Sequence, residues 1–138
     1  MDALTLEQAN GLIRIAIEKT LADYRRPICV AVCDPSGFLL SFQRMEGAPL
    51  RSIAISQGKA YSAARMQVDT SAFFARLQRD NLTAAYFCDE KITALPGGGV
   101  LKNASGVIIG SVGISGLTSE EDQVIANYLA NSISQGQI

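Results

Sequence analysis

LPGGGV (residues 95–100) and GVIIGSVGISG (residues 106–116), followed by the acidic run EED (residues 120–122), lie in the last third of this chain. Glycine has no Cβ atom and lets a neighbouring backbone approach closely. The first segment therefore predicts a glycine-rich loop, the second a thin apolar strand and the third the acidic start of a helix. Two partners are consistent with such close packing, a ligand or another subunit.

Helix and strand patterns alternate before this region. Thr5 with Gln8 forms a capping box, and apolar residues at helical spacing follow it until Pro27 forbids continuation of the helix. A β-hairpin is predicted over 28–42, with its turn at 34–37. Two helices are predicted next, over 50–66 and 70–77, and the first of them has an unusually small-sided face that lets another element approach closely.

The later part of the chain completes the pattern. The segment 81–91 fits either a loop or a strand, Leu101 an edge strand and 107–115 a central strand. A second capping box, Thr118 with Glu121, begins the last helix, and 132–138 predict a frayed tail. The order α-β-β-α-α-β-β-α predicts an α+β fold, a largely antiparallel sheet of about five strands covered by helices. We expect a single domain over 1–138, since no linker interrupts the chain.

Composition restricts the class of partner. Twelve basic and thirteen acidic residues give a net charge of -1, and the basic residues are scattered, so nucleic acid is not an expected partner. No apolar run is long enough to span a bilayer, and Met1-Asp2-Ala3 does not begin a signal peptide, so we expect a cytoplasmic protein without membrane contact. The 48% hydrophobic share with 18% charged residues favours a homo-oligomer.

The chain contains no histidine, and this absence excludes several kinds of site. Ser-His-Asp and Cys-His nucleophile pairs and histidine-based zinc sites are impossible, and we predict no metal site. Catalysis would have to use carboxylates, lysine, cysteine, tyrosine, backbone amides or a cofactor. Cys29, Cys33 and Cys88 are expected to be reduced thiols, because an odd number of cysteines without a secretion signal disfavours a disulfide framework.

Several motifs in series resemble the GlcG/HbpS-like family. They are VCDPSG (32–37), FQRMEGAPL (42–50), KAYSAAR (59–65), PGGG (96–99) and GSVGISG (110–116), closed by Glu120 and Asp122. The resemblance covers residues 5–130 and implies a bacterial protein with a profilin-like α-β sandwich, assembled as a homo-oligomer and often an octamer. It also implies a connection to glycolate, glycerol or propanediol utilisation, and it leaves the cofactor open between haem and a corrinoid. A histidine axial ligand for haem has no counterpart here, whereas a corrinoid supplies many of its own metal ligands.

Our first functional hypothesis is an oligomeric small-molecule-binding accessory protein, for a tetrapyrrole or a small carboxylate or diol metabolite. The ligand would lie against the glycine loop, with Arg44 and Lys59 as polar anchors. The alternatives are a solvated or salt-bridged Lys59 and an Arg44 paired with Glu46 or Asp34. The expected ligand-binding residues are Arg44, Lys59, Gly97, Gly98, Gly99, Ser115, Asp34, Glu120 and Asp122.

Two other functions remain open from the sequence. A cofactor-independent enzyme would use Asp34, Glu120 or Asp122 as a base, with Lys59 or the amides of 97–99 stabilising developing negative charge. A carboxylate of raised pKa that faces a pocket would support it. A purely structural subunit would bury the glycine loop between subunits with no cavity beside it. The acids at the start of the last helix are otherwise plain capping charges.

Overall fold

The structure is a computed structural model that describes residues 3–138. Its sheet contains four antiparallel strands in the order β2-β1-β4-β3. The strands are β1 (Cys29–Cys33), β2 (Leu39–Arg44), β3 (Gly98–Lys102) and β4 (Ile108–Ser115). The hairpin, the edge position of Leu101 and the central position of β4 are as predicted. The expected number of about five strands is wrong by one.

Four helices complete the predicted order α-β-β-α-α-β-β-α. They are α1 (Leu6–Asp23), α2 (Ser52–Met66), α3 (Thr70–Asp80) and α4 (Ser119–Ser134). The segment that was ambiguous between loop and strand contains a short 3₁₀ helix, Ala84–Phe87, which accounts for the missing strand. The α+β fold is confirmed. Among residues 3–138, no helix is long and apolar enough to cross a membrane.

The helices cover both faces of the sheet. Val112 and Ile114 of β4 belong to the main core, together with Leu12 of α1 and Ile125 of α4. The alternating positions of β4 face α2, where Ser111 donates a hydrogen bond to the Ala60 carbonyl. Because successive strand residues point to opposite faces, β4 lies between α1 and α4 on one side and α2 on the other.

The face shared by α2 and β4 is small-sided, as the sequence of α2 predicts. A Cβ atom added to Gly113 would lie only 1.9 Å from the Ser56 carbonyl oxygen of α2. Near the end of β4, the Ser115 hydroxyl donates to the Ser52 hydroxyl over 2.9 Å. The closeness of the two backbones therefore depends on the absence of a side chain at Gly113.

Two sequence predictions need correction. Gly98 and Gly99 are the first residues of β3, so only Gly97 of the three glycines lies in the loop. The expected frayed tail is shorter than 132–138, because α4 continues to Ser134 and Ile133 is buried in the core. In both places backbone pairing or apolar burial extends an element beyond the boundary that glycine and polar composition indicate.

Both predicted capping boxes are present, and the second gives a testable result. The Thr118 hydroxyl accepts from the Glu121 amide over 3.2 Å, and the Glu121 carboxylate accepts from the Thr118 amide over 3.1 Å. We expect Thr118→Ala to lower the free energy of unfolding by about 1 kcal/mol. Thr83→Ala is the control, since Thr83 precedes the 3₁₀ helix without a side-chain capping bond. Equal urea midpoints for the two variants would contradict the prediction.

Candidate functional site

Three of the sequence-predicted site residues meet inside the chain, away from solvent. The Lys59 ammonium donates to the Asp122 carboxylate over 3.0 Å and to the Ile114 carbonyl over 2.7 Å. Only 2% of Lys59 and 2% of Asp122 are exposed. Gly97, with φ of +126°, covers this pair, because an added Cβ would lie 2.7 Å from the Lys59 ammonium. The ion pair therefore joins α2, β4 and α4 under the loop that precedes β3.

Burial opposes both charges of this pair. It lowers the pKa of Lys59 and raises the pKa of Asp122, while the attraction between the two groups counteracts each shift. The second carboxylate oxygen of Asp122 accepts from the Leu117 amide over 3.0 Å. Each charge is thus stabilised mainly by the other and by backbone groups. Asp122 is buried and lines neither the cleft beside α2 nor the cavity at the 3₁₀ helix, so its raised pKa does not support an acid-base site.

The glycine amides are also used internally. The Gly97 amide donates to the Gln123 side-chain oxygen over 2.7 Å, and the Gly98 amide donates to the Thr70 hydroxyl over 2.8 Å. Gly99 is buried against Ala126. These glycines are buried by elements of their own chain, and their bonded amides are not free to stabilise a substrate charge.

Within residues 3–138, none of the other predicted residues makes a side-chain hydrogen bond or an ion pair to Lys59, to Asp122 or to another of the group. Arg44 is exposed at the end of edge strand β2 and forms no ion pair within residues 3–138. Asp34 accepts from the Ser36 and Phe38 amides and so shapes the hairpin turn. Glu120 is exposed on the first turn of α4, and Ser115 is buried against α2. The structure does not bring the nine candidates together.

A different region forms an open cleft of about 590 Å³ between the hairpin turn, α2 and the segment 90–93. Its lining includes Cys33, Phe38, Leu39, Tyr61, Arg65 and Lys91. A smaller neighbouring cavity of about 570 Å³ lies against the 3₁₀ helix and shares Glu90 and Ile92 with the cleft. The volume of the cleft falls within the range of small-molecule sites.

Aromatic rings and cations are adjacent in the cleft. The Arg65 guanidinium lies 4.7 Å from the centre of the Tyr61 ring and 5.9 Å from that of Phe38. Its Nε atom donates to the Ser36 carbonyl over 2.7 Å, and neither Nη atom makes a hydrogen bond within the part of the chain that the structure describes. The Lys91 ammonium lies 5.6 Å from the Tyr61 ring centre. Two cations therefore lie close to one aromatic ring at an open surface.

The polar groups of the cleft have defined protonation. The Tyr61 hydroxyl donates to the Asp89 carboxylate, and this bond raises the pKa of Tyr61 and lowers the pKa of Asp89. Burial raises the pKa of Cys33 to about 12. At neutral pH the phenol and the thiol are consequently neutral, while Asp89 is ionised.

A comparison with protein-family models finds a match over residues 4–130, to the family described as "Haem degrading protein HbpS-like". The chain belongs to the HbpS-like family. The match covers nearly the whole chain and agrees with the motifs identified in the sequence.

Curated relatives of this HbpS-like protein come from bacteria. An uncharacterized 15.0 kDa protein of the dhaT-dhaS intergenic region of Citrobacter freundii is 29% identical over 133 residues, which are 96% of this chain and 93% of that protein. The corrinoid adenosyltransferase PduO of Salmonella typhimurium is 28% identical over 137 residues, 97% of this chain. The chain spans only 40% of the length of PduO.

Solved structures agree with the fold of this HbpS-like chain. The Klebsiella pneumoniae protein ORFY has a TM-score of 0.85 at 28% identity, covering 97% of this chain and 92% of ORFY. A complex of PduOC with haem has a TM-score of 0.83 at 27% identity, covering 95% of each chain. At these TM-scores, this chain and the two solved structures share the same fold.

The cleft was not predicted from the sequence, because in the KAYSAAR segment Lys59, next to Gly58 and Ala60, was the stronger candidate for a pocket residue. Tyr61 and Arg65 lie four residues apart on the same helix and therefore on one face, which is the signal that could have identified them. Phe38 follows the Gly37 turn, and 64% of it is exposed. An exposed aromatic next to a turn is a further sign of a binding surface.

Proposed function

We propose that this HbpS-like protein is a binding module that holds a carboxylate-bearing tetrapyrrole in the cleft beside α2. The observation that carries the proposal is the pair of cations, Arg65 and Lys91, close to the Tyr61 ring at an open, partly apolar surface. The similarity to the haem complex of PduOC supports the class of ligand. A porphyrin combines a flat apolar ring with carboxylates and matches both features.

Apolar contact would supply much of the binding free energy. Phe38 is 64% exposed and Leu39 is 49% exposed, although both line the cleft. Covering a side chain of this kind completely is worth about 1.5–3 kcal/mol. A flat ring placed against these two residues would bury surface that the free protein leaves in water.

The cations would supply orientation. A guanidinium can bind a carboxylate through two parallel hydrogen bonds, and neither Nη atom of Arg65 makes a hydrogen bond to another of residues 3–138. The Lys91 ammonium can neutralise a second carboxylate as a point charge. The side chains of a corrinoid are largely amides, so these two cations favour a porphyrin over a corrinoid.

The test uses variants of the cleft cations. We expect Arg65→Ala combined with Lys91→Ala to weaken haemin binding at least about tenfold in an absorbance titration, because charge-assisted hydrogen bonds to the carboxylates are lost. Lys102→Ala is the control, since Lys102 is exposed at the end of β3 outside the cleft. Cobalamin titrated in parallel should bind more weakly than haemin.

Arg44→Ala separates this assignment from the one that the sequence indicated. Arg44 lies at the opposite end of β2 from Leu39 and does not line the cleft. If Arg44→Ala loses haemin binding while the Arg65 and Lys91 double variant binds normally, the proposal is wrong and the binding site includes Arg44, as the sequence indicated.

We further propose that the module acts as a cytoplasmic homo-oligomer in the setting of glycolate, glycerol or propanediol utilisation. The apolar residues Leu21, Val124 and Tyr128 are between 41% and 50% exposed on α1 and α4, which is consistent with contact between copies of the chain. Native mass spectrometry of the purified protein tests the assembly, and a monomer at micromolar concentration would contradict it.

A further inference from the structure

The donors in the cleft do not suit a metal at the centre of a tetrapyrrole. The chain has no histidine. Glu90, Gln57 and Thr93 line the cleft with a carboxylate, an amide and a hydroxyl, and these oxygen donors are not among the usual protein ligands of haem iron. The other donors in the lining are a cysteine, a tyrosine and a lysine. A cysteine ligates iron as the thiolate and a tyrosine as the phenolate. Each of these three groups is engaged elsewhere or carries its proton.

The cysteine and the tyrosine are both protonated and poorly available. Cys33 is 2% exposed in strand β1, and burial keeps it as the thiol. The Tyr61 hydroxyl is bonded to Asp89, whose negative charge disfavours loss of the phenol proton. A phenolate would place a second negative charge beside that carboxylate.

The remaining donors are no better placed. The Lys91 amine is an ammonium over the Tyr61 ring, and an ammonium has no lone pair for a metal. The Met45 sulfur, outside the cleft, accepts from the Ile28 amide over 3.3 Å. Met66 follows Arg65 on α2 but does not line the cleft. The fit of the cleft is therefore to the ring and its carboxylates, and not to the metal.

We infer that the cleft recognises a porphyrin by its ring face and carboxylates alone, so that metal-free and metal-loaded porphyrins bind equally well. This inference rests on the proposed function. The contacts that carry it are Phe38 and Leu39 to the ring and Arg65 and Lys91 to the carboxylates. None of these depends on the metal. The protein would then carry or store the macrocycle irrespective of its metal content, which differs from a role that uses the iron.

The experiment compares three porphyrins that share their periphery and differ at the centre. The purified protein is titrated with protoporphyrin IX, zinc protoporphyrin and haemin, by fluorescence quenching or absorbance. We expect the three dissociation constants to agree within about threefold. We also expect the spectrum of bound haemin to lack the bands of a protein nitrogen or sulfur ligand.

Two results would overturn the inference and are distinguishable from each other. Haemin that binds more than about tenfold tighter than protoporphyrin IX, with a spectrum that shows a protein ligand, would overturn the metal independence alone. Failure of all three porphyrins to bind would overturn the proposed function and this inference with it.

Conservative variants test whether Tyr61 or Cys33 is a ligand of the metal. Tyr61→Phe removes the hydroxyl and keeps the ring, and Cys33→Ser removes the sulfur with little change of size. We expect both to leave the spectrum of bound haemin unchanged. Tyr86→Phe is the matched control, because Tyr86 is 68% exposed on the 3₁₀ helix and does not line the cleft. A change of the haemin spectrum in Tyr61→Phe alone would identify Tyr61 as the ligand and overturn the inference.

Discussion

Replacement of Gly113 by alanine is expected to destabilise the fold by about 3 kcal/mol or more. The new Cβ would lie 1.9 Å from the Ser56 carbonyl oxygen and 2.6 Å from the Ala60 amide nitrogen. Both are backbone atoms of α2, so no side-chain rotation relieves the contact. Helix α2 would have to move away from the sheet, which would break the hydrogen bonds that Ser111 and Ser115 make to it.

The measurement is urea unfolding followed by circular dichroism, with Gly58→Ala as the control. Gly58 lies inside α2, and an added Cβ there would meet no atom closer than 3.6 Å. Alanine is favoured over glycine in a helix by about 0.5–1 kcal/mol, so this variant should be slightly stabilised. Replacement of glycine by alanine is thus expected to lower the unfolding free energy at Gly113 of β4 and to raise it at Gly58 of α2. An unfolding free energy of Gly113→Ala within about 1 kcal/mol of the parent protein would show that α2 and β4 are not held this closely.

Local signals in the sequence predicted most of the architecture. The two capping boxes, Pro27 and the central strand at 107–115 depend on interactions within a few residues, and the structure contains all of them. The small side chains of α2 correctly indicated a close neighbour. The strand count was wrong because the segment around Ala84–Phe87 carries no strong periodicity, and the choice between turn and strand there depends on distant packing.

The site was less predictable, because its residues come from distant parts of the chain. Phe38, Arg65 and Lys91 face one cleft only after α2 packs across the sheet and the segment 90–93 folds beside it. Lys59 looked like a ligand anchor because glycine and alanine flank it. A single sequence does not show that Asp122, 63 residues later, lies 3.0 Å from its ammonium. A buried pair and an exposed anchor have the same local sequence signature.

Removal of one partner of the Lys59–Asp122 pair is expected to cost about 3–5 kcal/mol, because it leaves a buried charge without its counterion. Asp122→Asn keeps the size of the side chain but removes the negative charge. Lys59→Met keeps an unbranched chain but removes the positive charge. The double variant should cost clearly less than the sum of the two single ones, since no unpaired charge remains in it. If the loss of unfolding free energy in the double variant equals the sum of the losses in the two single variants, this account is wrong.

An exposed pair with a similar N–O distance provides the control. Lys19 and Asp23 lie 2.9 Å apart on α1, with 32% and 42% of their side chains exposed. The corresponding variants Lys19→Met and Asp23→Asn should each change the unfolding free energy by no more than about 1 kcal/mol, because water solvates either charge when the other is removed. The contrast isolates the effect of burial from the effect of the contact itself.

The pH dependence of Asp122→Asn gives an independent check with a definite sign. Burial already lowers the pKa of Lys59 from its ordinary value of 10.5, and loss of the carboxylate would lower it further. Between the lowered pKa and 10.5 the unfolded chain binds more protons than the folded one, so stability rises with pH in that interval. The difference in urea midpoint between the parent protein and Asp122→Asn should therefore become smaller as the pH is raised from 7 towards alkaline values. A stability deficit that stays constant from pH 7 to alkaline pH would mean that Lys59 of the variant keeps its ordinary pKa of 10.5, as an ammonium that reaches solvent does, and Lys59 would again be a candidate ligand anchor.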